Sequence, residues 1–131
     1  SCVNCNCAKE YKAEEPLCYK NSCYETTRLI AKDIGLTQDQ YSMSFQSRLG
    51  KDPWIQPYTD DVIANLGKNG NKKLLVLSPA FVSDCLETCI EISEEYLEVF
   101  EENGGEKLQL VESLNDGEDW VDIVHDLVSK Q

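Results

Sequence analysis

Basic residues are scarce in this chain: 12 Lys and Arg stand against 24 Asp and Glu in 131 residues, a formal net charge of −12. Phosphate recognition is carried by Lys and Arg, so this balance argues against a nucleic-acid or anionic-membrane surface and favours cationic partners. Long apolar runs are missing as well. Nothing approaches the roughly 20 residues of a membrane span, and no charged-then-apolar signal segment opens the chain. A cytoplasmic protein without a transmembrane segment is expected. Histidine is reduced to His125, inside "DWVDIVHDLVSK", where a structural or solvent-facing place is expected. The chain starts on Ser1 rather than Met, as a processed product or an excised piece does. Its length is that of one ordinary domain, enough to bury a single core without staples.

Cysteine is not scarce. Cys2, Cys5, Cys7, Cys18 and Cys23 crowd the start, and Cys85 and Cys89 lie far downstream. "CVNCNC" followed by "CYKNSC" has spacings typical of metal or iron-sulfur ligation. A disulfide set fits less well, because five is odd and cytosolic thiols stay reduced. Zinc and a 2Fe-2S cluster are both candidates for four of the five. Cys85 and Cys89 read as small buried apolar residues. The chain divides into a cysteine-rich segment, residues 1–21, and a folded domain, residues 22–131.

Periodicity organises the remainder. Ser22 and Glu25 make a capping-box pattern, and Thr27, Ile30, Ala31 and Ile34 recur at helical spacing up to Gly35, predicting a helix over 22–34. "YSMSFQ" (41–46) alternates like a strand, and "SRLGKDPWIQPY" reads as a long loop. A helix over 59–66 closes at Gly67, "KLLVLS" (73–78) looks like a strand buried on both faces, and "KLQLVES" (107–113) gives a third strand. Trp120, Val124, Leu127 and Val128 mark a last amphipathic helix, with Trp120 in the core. This alternation predicts an α/β fold, a parallel sheet with helices on both faces. Ligands on such sheets bind outside the carboxyl ends of the strands.

The segment "SPAFVSDCLETCIEISEEYLEVFEE" (78–102) reads as one helix crowded with acids, with no Lys or Arg between Lys73 and Lys107. Glu87, Glu91, Glu95, Glu98 and Glu102 form one stripe; Leu86, Ile90, Leu97 and Phe100 form an apolar one interrupted by Ser93. A plain solvated face is one reading. Against it, like charges four apart cost about 0.2 to 0.5 kcal/mol per pair, and the helix dipole favours only acids near the start, such as Asp84 and Glu87. The functional reading is a cation path or proton relay, in which crowding raises the pKa of some acids.

Three stretches carry a resemblance. "SFQSRLGKDPWIQPYTDD" (44–61), "SPAFVSDCLETCIEI" (78–92) and "SLND" (113–116) together resemble the C-terminal half of ferrochelatase, which inserts ferrous iron into a porphyrin in the last step of haem synthesis. The resemblance implies a Rossmann-like half of a class II chelatase fold, with residues 22–131 as the C-terminal chelatase domain. It implies that Glu87 is the catalytic glutamate, and that Glu91 and Glu95, with Asp84, continue a proton or metal path along a widened helix. Trp54, Gln46, Ser47 and Arg48 match the wall of the porphyrin cleft. The family's His-Gly-x-Pro or His-Ser-x-Pro motif is absent, so the resemblance implies an upstream half that supplies the catalytic histidine, and a chain inactive by itself. Some bacterial members resemble this one in a cysteine-rich insertion that binds a 2Fe-2S cluster, which implies the cluster over zinc here. The alternatives are a cobalt or nickel tetrapyrrole chelatase of the same fold, and a non-catalytic acidic metal-binding module.

Overall fold

A computed structural model describes residues 11–14, 17–48, 50 and 53–130. The chain divides into two compact units, Ser1–Val62 and Ile63–Gln131.

In the first unit, α1 runs Tyr19–Asp33. It begins earlier than the expected residue 22, because Ser22 already bonds back one turn: its N–H donates to the Cys18 carbonyl at 3.0 Å and its Oγ reaches the same oxygen at 3.3 Å. Glu25 does not complete a capping box, since its carboxylate is held by Arg28 at 2.8 Å. Asn21, fully buried, pairs with the preceding segment in both directions: it accepts from the Lys12 N–H and donates to the Lys12 carbonyl, each at 3.0 Å. A buried amide satisfied on both sides costs little and fixes where the chain enters the helix. Downstream, the expected strand over 41–46 shrinks to a single parallel bridge between Phe45 and Tyr58. Phe45 is buried, with the rings of Tyr19 and Tyr24 tilted against it at centroid distances of 6.4 and 6.3 Å.

The unit boundary falls inside α2, Thr59–Lys68. This helix does not close at Gly67. Gly67 is an interior residue made necessary by close approach, because a Cβ there would lie 2.9 Å from the Asn103 carbonyl oxygen. The stop is Gly70, whose φ of 89° is left-handed. There the Gly70 N–H bonds the Gly67 carbonyl and the Asn71 N–H bonds the Leu66 carbonyl.

In the second unit, β1 (Lys73–Val76) and β2 (Lys107–Leu110) pair in parallel, Lys73 opposite Lys107 and Val76 opposite Leu110. The small parallel sheet with its helices is the α/β class expected. The β1 run is not buried on both faces: Leu74 and Val76 pack on the core while Leu75 is 71% exposed. The core consists of Ile63, Ile92, Tyr96, Phe100 and Leu108. The last helix, α4, runs Glu118–Ser129 as expected, but none of its residues is buried and Trp120 is only half-buried. Val121, Ile123, Leu127 and Val128 are each at least half exposed, and His125 faces solvent. No helix among the described residues is long and apolar enough to cross a membrane.

Candidate functional site

The acidic segment is not one α-helix over 78–102. Residues 78–85 are irregular, so Asp84 precedes the helix, and from Glu87 to Glu95 the backbone winds as a π-helix before tightening into α3, Tyr96–Glu102. The wide winding is visible at its end, where the Tyr96 N–H donates to the Glu91 carbonyl five residues back. Side chains follow it. The Ser93 hydroxyl reaches the Thr88 carbonyl at 3.4 Å, and the Tyr96 hydroxyl donates to Glu91 Oε1 at 2.6 Å, both across five residues. Wide turns of this kind within α-helices are frequent at functional sites.

Wider winding changes which residues point inward. The buried row is Thr88, Ile92, Tyr96 and Phe100, not the expected Leu86, Ile90, Leu97 and Phe100; Leu86 is 76% exposed. Each of the first three buried residues directly follows an acid of the row Glu87, Glu91 and Glu95. The acids therefore flank the buried row, with Glu87 and Glu95 exposed and Glu91 half-buried under the Tyr96 hydroxyl. Cys85 is half-buried and Cys89 is exposed, so the expectation that both are buried does not hold for Cys89.

Crowding was expected to raise carboxyl pKa values. At Glu87 the direction is opposite: a hydrogen bond from the Cys85 thiol, and then one from its own backbone N–H, hold its carboxyl below the ordinary range. Asp84 is also held low, chiefly by the Asn115 amide and then by Ser113. The Asn115 amide donates to Asp84 Oδ2 at 2.9 Å; Thr88 Oγ1 and the Ser113 N–H reach Oδ1 at 3.2 and 3.3 Å. Asn115, within "SLND", had no expected role; its φ of 50° is left-handed, a conformation Asn tolerates.

The residues expected to wall a porphyrin cleft lie in the first unit. Trp54 folds back so that its indole N–H donates to the Gln46 carbonyl at 2.9 Å, while Ser47 takes a φ of 62° and turns the chain. Arg48 lies over the Tyr58 ring at 4.6 Å, a cation-π contact that adds Tyr58 to this group. Gln46, Ser47, Arg48 and Trp54 thus belong to one folded-back loop. Glu87, Glu91, Glu95 and Asp84 belong to the other unit.

Of the proposed cysteine ligands, Cys2, Cys5 and Cys7 lie outside the described residues. Cys18 and Cys23 stand at the start of α1 as half-buried thiols rather than as a disulfide. Burial pushes the Cys23 thiol up; a bond from Tyr19 opposes this, and the charge of nearby Cys18 adds to it. Among the described residues, no three His, Cys, Asp or Glu side chains converge as a metal-binding group.

The second unit is thus a parallel α/β unit in which a carboxylate-lined wide helix follows a strand. A family model for ferrochelatase matches residues 7–131, and the chain belongs to the ferrochelatase family. It is 46% identical over 114 residues to a ferrochelatase of Legionella pneumophila (strain Corby), covering 87% of this chain and 34% of that protein. A ferrochelatase of Pseudomonas fluorescens is 48% identical over 113 residues, 86% of this chain and 33% of the relative. For one from Brucella ovis the figures are 46% identity over 113 residues, 86% and 32%. The chain thus spans about a third of the length of the curated relatives it matches.

Proposed function

We propose that this chain is the C-terminal part of a ferrochelatase that inserts Fe2+ into a porphyrin in the last step of haem synthesis. The observation that carries this reading is the row Glu87, Glu91 and Glu95 on a π-helix, in a chain of the ferrochelatase family. Metal insertion exchanges the two pyrrole N–H protons of the porphyrin for one Fe2+, so the site needs a base at the ring and a route for protons and metal. Glu87 opens the row and takes a pyrrole proton. Glu91 and Glu95 pass protons outward or ferrous iron inward, as hard oxygen ligands that bind the ion loosely. Gln46, Ser47, Arg48 and Trp54 support the porphyrin. A second base comes from a histidine in the upstream part of the protein, and this chain alone does not turn over.

The test is loss of porphyrin fluorescence on anaerobic addition of ferrous iron, in a polypeptide extending this chain to the full length of its relatives. Loss is expected there and not with the chain alone. No loss in the extended protein overturns the reading, and loss with cobalt or nickel but not iron reassigns the metal.

The cysteine-rich segment is proposed to hold a 2Fe-2S cluster through four of Cys2, Cys5, Cys7, Cys18 and Cys23. Two observations fit a soft-metal ligand pair: Cys18 and Cys23 are both thiols, and they lie close enough for the charge of one to raise the pKa of the other. Protein purified without oxygen is expected to show the visible absorption of the cluster, weakened in Cys23→Ser. A colourless protein with bound zinc assigns zinc, and a colourless, metal-free one removes the site.

A further inference from the structure

Asp84 and Asn115 stand 31 residues apart in sequence and close a ring of two hydrogen bonds. The Asp84 backbone N–H donates to Asn115 Oδ1 at 2.9 Å, and Asn115 Nδ2 donates to Asp84 Oδ2 at 2.9 Å. The ring fixes the amide's orientation, because exchanging its O and N would turn an N–H toward an N–H. Asn115 is itself held: its φ is 50°, and its backbone N–H donates to the Val82 carbonyl at 2.8 Å. On the other side of Asp84, Oδ1 accepts from Ser113 N–H and Thr88 Oγ1. Thr88 is fully buried, and its hydroxyl also accepts from the Cys85 N–H at 2.9 Å. Glu87 therefore lies between two anchored residues, Asp84 and Thr88.

We propose that Asp84 and Asn115 are a positioning pair, which clasps the loop after β2 to the turn that opens the wide helix and so sets how Glu87 is presented. The inference rests on the metal-insertion reading above and gives Asp84 a role other than the proton or metal path that the resemblance implied. Asp84 already accepts three donors, so it serves as an anchor rather than as a carrier on the acid row.

The test exchanges the two side chains in the polypeptide extended to full length. In N115D two carboxylates oppose each other and the ring breaks; in D84N the new amide opposes either the Asn115 NH2 or, turned over, the Ser113 N–H, so one bond of the clasp is lost either way. In D84N/N115D the new amide at 84 donates to the new carboxylate at 115, which still accepts from the backbone N–H of residue 84. That restores the ring while removing the carboxylate from position 84. The 3.4 Å contact of Asn115 with Glu112 becomes an approach of two carboxylates, which Glu112 relieves by turning to solvent because it is exposed.

Each single variant is expected to lower kcat about tenfold or more, with the KM for porphyrin little changed, because a small misplacement of a reacting group costs rate before binding. Amide exchange at Cys85 and Thr88 is expected to speed up in both singles. The double variant should return kcat and exchange to within about threefold of the parent, a coupling that independent sites do not show. Singles that leave kcat and exchange unchanged overturn the proposal. So does a double variant as slow as D84N, which would make the carboxylate at 84 the acting group. If the parent inserts no metal at all, the functional reading fails and takes the catalytic role of the pair with it. The exchange pattern of the three variants then still decides whether the clasp exists.

Discussion

Glu87→Gln, in the polypeptide extended to the full length of its relatives, is expected to slow porphyrin metal insertion by about 10²–10⁴-fold, the usual contribution of a positioned proton acceptor. The amide keeps the shape and the outward position of the side chain and loses only the basic oxygen. Because Glu87 is exposed, the unfolding midpoint should not move, which separates lost chemistry from lost fold. The pH profile carries a second signature. A bond from the Cys85 thiol, followed by its own N–H, depresses the Glu87 pKa, so the carboxylate persists to lower pH than an ordinary glutamate. The acid limb of kcat/KM should therefore lie below the ordinary carboxylate range, and Cys85→Ala should move it upward. Full activity in Glu87→Gln would remove Glu87 as the base and leave the acid row as a binding surface.

The fold class was legible because local signals agreed with one another. "KLLV" and "KLQL" are short apolar runs with a helical pattern between them, and they pair in parallel as the alternation requires. The geometry of the acid row was less legible. A reading at 3.6 residues per turn selects Leu86, Ile90, Leu97 and Phe100 as the inward face, whereas winding with five-residue bonds brings Thr88, Ile92, Tyr96 and Phe100 inward. The signal for it was present: polar Thr88 and Ser93 sit five apart, and Tyr96 lies five beyond Glu91, each pair joined by a side-chain bond. Helix ends failed for a similar reason. Ser22 was a plausible cap by composition, yet a helix can start wherever a buried side chain fixes the incoming chain, here through Asn21 and Lys12. Gly67 was a plausible stop, yet its missing side chain serves the approach of Asn103, a contact 36 residues away that no local pattern reveals. Asn115 went unread because its partner, Asp84, lies 31 residues away in sequence.

Phe100→Ala is expected to destabilise this chain by about 3–5 kcal/mol, a large share of the roughly 5–15 kcal/mol that holds a domain folded. Phe100 is fully buried, and among the described residues it is the largest side chain so enclosed. Its neighbours come from different elements: Ile63 from α2, Ile92 from the wide helix, Tyr96 from α3 and Leu108 from β2. A hole at this point is bounded by a strand and by helices that cannot all move inward at once, so little of it collapses. In urea the midpoint should fall by about 2 M, given slopes of about 1–3 kcal/mol per molar for domains of this size. Gly105 supplies the internal control. A Cβ at Gly105 would overlap the Cγ, Cδ1 and Cε1 atoms of the Phe100 ring, and the Gly105 N–H is tied to the Phe100 carbonyl at 2.9 Å, so the backbone cannot readily retreat. Gly105→Ala alone should therefore cost about 1–3 kcal/mol through overpacking. With the ring gone the added methyl has room, so Gly105→Ala should cost almost nothing in the Phe100→Ala background, and the two changes should not add. Additive losses would mean that ring and glycine do not share one space. An unmoved midpoint in Phe100→Ala would mean that the packing around α3 does not hold the second unit together.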